Sequence, residues 1–406
     1  MTHRGGSRHD AGVPRTTAAR ARRVLLLTDS YRPTVNGVVT SIDELRKGLV
    51  EAGHEVRVLT VGPTRRTTFD GEVYRLPSLD ASHIYPHARL GRPVDRDLWA
   101  DLVAWRPEVL HSHTEFVAFW WARRLAHRLD VPHLHTYHTL YADYTHYFFP
   151  HERTGRALVA RFARKTLNRT DLVIAPTAKI ETLLRGYGVR APVCVVPTGI
   201  DLTRFTPGPG SEDLRASLDL TPGVPVVLSL GRLAAEKNTA EVIDLLATVH
   251  EPWQLVVAGD GPQAGALRRQ VERLGLTPRV RFVGAIEPAR VPDFYRLADV
   301  FVSVSRSETQ GLTYLEALAS GIPVLCRDDA SVDGVVVDDV NGRTYTTPEE
   351  FTRTLTDLLR DPDLRERWSE GAVRSAARSG RDTFAAAVGA AYDRAISAAG
   401  TARWAA

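Results

Sequence analysis

Short apolar runs recur along this chain, and between them apolar residues return at helical spacing among charged ones. One series comprises RVLLLTD (23–29), VRVLTV (56–61), VLHSH (109–113), HLHTY (133–137), LVIAPT (172–177) and VCVVPTG (193–199). A second comprises VVLSLG (226–231), QLVVAGDG (254–261), VRFVGA (280–285), DVFVSVS (299–305), PVLCRD (323–328) and VVVDDV (335–340). A strand covered on both faces has no polar side, so it reads as a continuous Val/Ile/Leu run. Such runs alternating with helices predict an α/β fold of parallel, doubly wound sheets. The stretch 203–225, rich in Pro, Gly and Ser, separates the two series and reads as a linker. The pattern predicts one domain over 23–205 and another over 206–375, flanked by a tail at 1–22 and a terminal helix within 376–406. At 406 residues the chain is long enough for each domain to bury its own core.

Composition narrows the class. The chain is 43% hydrophobic and 25% charged, the balance of an ordinary globular protein. No apolar run approaches the roughly 18–20 residues needed to cross a bilayer. The basic first 23 residues lack an apolar core segment, so they are expected to form a disordered tail and not a secretory signal. Cys194 and Cys326 lie in or beside apolar runs and are expected to be buried and reduced, as in a cytosolic protein. A net charge of +4 is too mild to argue for a nucleic-acid partner.

Several chemistries are excluded by spelling. GDGPQAG (259–265) places its third glycine one position late for a dinucleotide fingerprint. No P-loop and no Ser or Cys nucleophile elbow is present. Asp95-Arg-Asp97 and Asp361-Pro-Asp363 follow no apolar strand, and the second reads as a helix start with proline near N1. A metal-bridged diphosphate is therefore not expected.

Two stretches carry candidate chemistry. In SVSRSETQGLTYLEALASGIPV (303–324), seven residues separate Glu308 from Glu316, with a Gly311 turn between them and Leu312, Leu315 and Leu318 behind. A loop at a strand end would present Glu308, and Glu316 would sit one to two turns into the next helix, both facing a ligand crevice. In VVLSLGRLAAEKN (226–238), Gly231 closes an apolar run and is followed by Arg232 and Lys237. Backbone N–H groups and two cations at a strand tip suit a diphosphate. Of 52 Lys plus Arg only Lys47, Lys165, Lys179 and Lys237 are lysines, and the other three have no comparable setting in the sequence. A lysine here suggests a need for a compact point charge. Further upstream, Asn36-Gly37 in TDSYRPTVNGVVTSI (28–42) makes a turn before a helix starting near Val38–Thr40. His111, His113, His135, His138 and His146 cluster in sequence, but their strand spacing and the lack of an i,i+4 pair argue against a metal site.

The Glu308-to-Glu316 spacing together with Arg232 and Lys237 resembles the retaining nucleotide-sugar glycosyltransferases of family 4, over roughly residues 23–370. The resemblance implies the GT-B architecture: two Rossmann-like doubly wound domains facing a cleft, the last helix (381–399) packing back on the first domain. It implies that Glu316 holds the ribose hydroxyls and Glu308 the sugar hydroxyls, within a donor site that includes Gly311 and Leu312. Arg232 and Lys237 would hold the leaving diphosphate in place of a metal, so activity should be metal-independent. Gly37 matches a glycine loop that closes on the donor phosphate, although locally it reads equally well as a plain strand–helix turn. His138, just past a strand tip, is placed near the transferred sugar as a catalytic candidate. HTYHTLYADYTHYF and SETQGLTYLEALASG are similar to diacylglycerol glucosyltransferases, which implies glucose transfer from UDP-glucose to a lipid hydroxyl with retention. Two rivals are a GDP-mannose-dependent transferase acting on phosphatidylinositol or a glycan, and a non-catalytic nucleotide-sugar-binding module.

One surface feature bears on the acceptor. Tyr141, Tyr144, Tyr147, Phe148 and Phe149 precede a stretch in which Arg153, Arg156, Arg161, Arg164, Lys165 and Arg169 oppose only Glu152. Leu158, Val159, Phe162 and Leu167 give this stretch an apolar side. Such a helix suits an anionic membrane surface, here the inner face of the cell membrane. The same apolar residues would equally serve as a core-facing stripe.

Overall fold

The computed structural model describes residues 20–80, 89–91, 96–141 and 151–404. Residues 1–19 of the expected tail, Asp95, His146, Tyr144, Tyr147, Phe148 and Phe149 lie outside the described residues. The first sheet contains Arg23–Thr28 (β1), Glu55–Gly62 (β2), Thr68–Phe69 (β3), Val73–Asp80 (β4), Arg89–Gly91 (β5), Val109–Ser112 (β6), His133–Thr136 (β7), Leu172–Ala175 (β8) and Val193–Val195 (β9). Its helices are Gly37–Glu51 (α1), Arg96–Trp105 (α2), Val117–Leu129 (α3), Glu152–Leu167 (α4) and Ala178–Gly186 (α5). The second sheet contains Val226–Leu230 (β10), Gln254–Ala258 (β11), Val280–Gly284 (β12), Val300–Ser303 (β13), Val324–Arg327 (β14) and Gly342–Tyr345 (β15). With it go Glu212–Ser217 (α6), Thr239–Ala247 (α7), Ala264–Arg273 (α8), Val291–Leu297 (α9), Leu312–Ala319 (α10), Pro348–Arg360 (α11) and Pro362–Ala376 (α12). Arg381–Trp404 (α13) closes the described chain.

The first sheet runs β3-β4-β2-β1-β6-β7-β8-β9 with β5 beside β4, and the second runs β12-β11-β10-β13-β14-β15. All neighbours pair in parallel except β3 and β5, which run antiparallel to β4. Each sheet is buried on both faces. Val24 and Leu26 of β1 join one apolar cluster, whereas Leu25 and Leu27 join another. Val226 and Leu228 likewise part from Val227 in β10. That double covering is the physical origin of the unbroken apolar runs.

Two expectations need correction. Val335–Val340 is not a strand: its backbone turns back on Val332, Asp339 is left-handed (φ 62°), and the Asn341 side chain bonds Val337 N and Val335 O. Pairing with β14 starts only at Gly342, where a Cβ would stand 2.2 Å from the Val324 carbonyl oxygen. The stretch 203–225 is no free linker either, because Phe205, Leu214 and Leu220 are buried in the core of the second sheet.

The chain passes between the two sheets twice at one place. Ile200 bridges Gly380, with Ile200 N to Ser379 O at 2.9 Å and Arg381 N to Ile200 O at 3.0 Å. Gly199 must be a glycine, since a Cβ there would lie 2.5 Å from the Gly380 oxygen. Arg381 then ties Glu44, Glu51 and Asp201. From it, α13 lays Phe384, Ala385, Val388, Ala391, Tyr392 and Ala395 into the core formed by β1 and α1.

Candidate active site

In an open parallel sheet, ligands bind outside the carboxyl ends of the strands where the strand order reverses. In the second sheet that point lies between β10 and β13. The loop after β10 carries Gly231, Arg232 and Lys237; the loop after β13 carries Glu308 and Gly311. The two loops meet: the Lys237 ammonium pairs with the Glu308 carboxylate. Gly259 and Gly261 of the former fingerprint candidate serve this corner by allowing close backbone approach. Their Cβ atoms would fall 1.9 Å from the Gly231 oxygen and 2.4 Å from the Leu233 oxygen.

The Glu308 side chain is only 12% exposed. Burial pushes its carboxyl up, but attraction and hydrogen bonding from Lys237, a Ser305 hydrogen bond and the charge of Lys179 together hold it below the usual range. Glu308 is thus a carboxylate at neutral pH, an acceptor for hydroxyl donors. Gly311 follows in the left-handed region (φ 75°), and a Cβ there would meet the Tyr314 ring at 2.4 Å. Leu312 opens α10 and packs against the core of the second sheet. One turn on, Glu316 accepts a hydrogen bond from the buried Tyr295 hydroxyl at 2.9 Å. Burial pushes the Glu316 carboxyl up to about 7, with Tyr295 and Arg204 opposing.

The carboxyl edge of the first sheet faces this site. Thr177, after β8, donates to Thr309 O at 2.9 Å, and Thr198, after β9, is held through both its backbone groups by the Gln310 side chain at 2.7 and 2.8 Å. Ser41, on α1 one turn from Gly37, contacts Thr198 at 3.2 Å. Helix α1 begins at Gly37, capped by Asn36, and a Cβ at Gly37 would have nothing within 4 Å. No contact among the described residues therefore demands that glycine. His138, after β7, contacts His113 at 3.0 Å. Burial and the neighbouring His135 push the His138 imidazole down to about 3, so it is neutral at physiological pH.

Of the other histidines, His111 bonds Tyr392 and Thr136, Ser112 bridges His133 and His135, and His135 also meets the Glu115 carboxylate at 3.3 Å. Asp29, at the tip of β1, escaped the sequence reading. It accepts from Thr114 Oγ1 at 2.6 Å and from Ala118 N at 3.1 Å, capping α3 from outside, and burial pushes its carboxyl up to about 6. Tyr295, Lys179 and Asp329 were also missed, because each reaches the site from another element, and so was Gln310, two residues from Glu308, because its partner Thr198 lies in the other domain. Lys179 corrects the sequence reading outright. It donates to Glu308 O at 3.2 Å and to Asp329 at 2.7 and 2.9 Å, so Lys237 is not the one lysine in such a setting.

Arg156, Arg161, Arg164 and Lys165 all lie exposed on α4. The helix is anchored by Ala163 and Leu167, which join the core with Tyr137 and Leu140. Leu158 and Phe162 are not core-facing; they are 46% and 38% exposed. Phe162 stacks on exposed Phe116 of the neighbouring element at 6.3 Å, and exposed Trp120 lies under Arg169.

Two facing doubly wound domains with a cation–carboxylate pair at the switch point define a glycosyltransferase of the GT-B class. A family model described as "Glycosyltransferase Family 4" matches residues 35–204, and one described as "Glycosyl transferases group 1" matches 210–374. The chain is 33% identical over 353 residues to the alpha-monoglucosyldiacylglycerol synthase of Streptococcus pneumoniae, covering 85% of this chain and 80% of that protein. It is 27% identical to the synthase of the same name from Acholeplasma laidlawii, covering 89% and 94%. HepE of Anabaena, solved in complex with UDP, shares the fold at a TM-score of 0.72 and 20% identity, covering 92% and 100%. The chain belongs to glycosyltransferase family 4.

Proposed function

We propose that this glycosyltransferase transfers glucose from UDP-glucose to the free hydroxyl of a diacylglycerol, with retention, at an anionic membrane surface. The observation that carries the reading is the Lys237–Glu308 pair at the switch point, in a chain 33% identical to an alpha-monoglucosyldiacylglycerol synthase. Breaking the bond from the anomeric carbon to the phosphate oxygen leaves negative charge on the diphosphate. Lys237 and Arg232 are cations at the strand tip where that charge develops, and they stabilise it without reorganisation. Glu308, kept ionised, orients the sugar hydroxyls. His138, neutral, hydrogen-bonds the transferred sugar, and Gly37 lets a phosphate approach the start of α1. In this reading the two cations serve in place of a metal.

Glu316 binds the ribose diol. Two hydroxyl donors favour the carboxylate over the acid, so nucleotide binding and protonation compete. Sign follows from the raised carboxyl: UDP affinity should strengthen as pH rises through about 7 and level off above it. Below that point the loss approaches about tenfold per pH unit. Calorimetry with UDP across this range checks it; Glu316→Gln should bind more weakly and lose the pH dependence. An unchanged pH dependence in the variant would remove Glu316 from the ribose.

The acceptor lies in a bilayer, and no described helix is long and apolar enough to cross one. Docking is assigned to α4, whose exposed Arg156, Arg161, Arg164 and Lys165 surround exposed Leu158 and Phe162. Each cation near an anionic surface contributes about 1 kcal/mol, screened by salt. The decisive experiment supplies UDP-glucose or GDP-mannose, with EDTA present, to the protein on vesicles of phosphatidylglycerol containing diacylglycerol. Glucosyldiacylglycerol is the expected product. Mannosylated product, or activity abolished by EDTA, would overturn the donor or the metal-free reading respectively. In the same vesicles, Arg161→Ser, Arg164→Ser and Lys165→Ser together should release the protein at low salt. Equal sedimentation of that triple variant would clear α4 of the role.

A further inference from the structure

Thr177 stands at the N-cap of α5, where a threonine hydroxyl ordinarily accepts from the helix backbone. Here it makes no such cap and donates across the domain boundary to Thr309 O. Two residues on, Lys179 donates to Glu308 O and to both oxygens of Asp329. Gln310, 4% exposed, is bound to Thr198 through both ends of its amide. Three successive residues, 308 to 310, are therefore gripped by the first domain. Asp329, after β14, is itself oriented by Ser331 N at 2.8 Å.

We propose that Lys179 is a positioning residue for the donor site, holding the Glu308 loop from the opposite domain so that closure of the domains sets the Glu308–Lys237 pair. The proposal rests on the reading of Glu308 as a donor-site residue. Lys179 acts twice. Its hydrogen bond fixes the peptide that carries Glu308, and its charge adds to that of Lys237 in keeping the carboxyl ionised. The groups facing that carboxyl are Lys237 from the β10 loop, Ser305 from its own loop, Lys179 from α5 and Tyr314 from α10, with Asp329 behind Lys179. A mere tether between domains needs only opposite charges at 179 and 329, whichever way round. A positioning cation needs the positive charge at 179.

The test compares Lys179→Met with the swapped pair Lys179→Asp plus Asp329→Lys, using UDP-glucose in the vesicle assay. Lys179→Met should lose up to about 100-fold in kcat with little change in KM, as expected when reacting groups are displaced without loss of ground-state binding. Removing a cation raises the Glu308 carboxyl, so the acid limb of the kcat profile should move to higher pH. The swapped pair should recover the melting temperature but neither kcat nor the acid limb. A wild-type kcat and acid limb in Lys179→Met, or full recovery in the swapped pair, would overturn the proposal. Hydrogen exchange over residues 305–311 gives a readout independent of turnover. If the wild-type protein turns over no nucleotide sugar, the functional reading fails, while faster exchange in Lys179→Met would still establish the grip. Unchanged exchange would refute the grip as well.

Discussion

Replacing Lys237 with alanine is expected to lower turnover of the nucleotide sugar by about 100- to 1000-fold while the protein stays folded. A preorganised charge aimed at a developing anion contributes roughly 3–4 kcal/mol to the transition state, and little of that is present in the ground state. The fall should therefore appear in kcat more than in KM. The substitution also strips Glu308 of its principal partner, leaving a carboxylate only 12% exposed with Ser305 and Lys179 to support it. Its proton affinity should rise, so the acid limb of the rate profile moves to higher pH along with the drop in rate. Lys237→Arg keeps a positive charge but spreads it over a planar fork, and partial recovery is expected. Steady-state kinetics beside circular dichroism on the same preparations separate a chemical loss from unfolding. Turnover of Lys237→Ala at the wild-type rate would detach this lysine from the diphosphate.

The largest effect on stability is expected far from that lysine, in α13. Tyr392 is fully buried, and its ring sits in the core with β1 and α1. Its hydroxyl bonds His111 Nδ1 at 2.9 Å. Truncating a buried aromatic to alanine costs about 3–5 kcal/mol through lost burial and the cavity left behind. Orphaning a buried imidazole nitrogen adds about 1–3 kcal/mol. Tyr392→Phe keeps the packing and should lose only the contribution of the hydroxyl, about 1–3 kcal/mol, because it leaves the same His111 nitrogen unpaired. Denaturant unfolding followed by a probe in each domain is the measurement, since two domains need not melt together. The first domain should lose stability in Tyr392→Ala; equal midpoints for both variants and the wild type would mean that α13 contributes little to that core.

Much of this was legible in the sequence because burial on both faces writes itself as unbroken apolar runs. Strands β1, β2 and β6 to β9, and then β10 to β14, all stand where such runs occur. The exceptions follow the same logic. Strand β4, VYRLPSLD, lies near the sheet edge with its outer residues partly exposed, so its apolar pattern is broken. Strand β15, GRTY, has two half-buried polar positions and hides behind the more apolar Val335–Val337. Of the turn held by Asn341 only Val336 is buried, whereas Val337 and Val340 are 41% and 43% exposed, so here an apolar run does not report a covered strand.

The candidate site divides similarly. Arg232, Lys237, Glu308 and Gly311 sit on two loops of one sheet and Glu316 on the helix that follows the second, and each stretch has its own local signature in the sequence. Lys179 and Gln310 matter through contacts across 129 and 112 residues of chain, which no local pattern encodes. Asp29 reads as an ordinary strand-end acid until α3 is seen to start against it. Exposed Phe116 and Trp120 gain meaning only when α4 is packed beside them.

Because α13 completes the core of the first sheet, the order of synthesis and the order of folding are reversed. The ribosome makes β1 to β9 first, yet the surface that Phe384, Val388 and Tyr392 cover stays open until α13 has emerged. The second sheet and its helices, ending at Ala376, have all their parts earlier. At about 5–20 residues per second, the nascent first sheet waits some tens of seconds with one apolar face uncovered. Chaperone occupancy on the nascent chain should accordingly persist past residue 376 and end only once α13 has emerged.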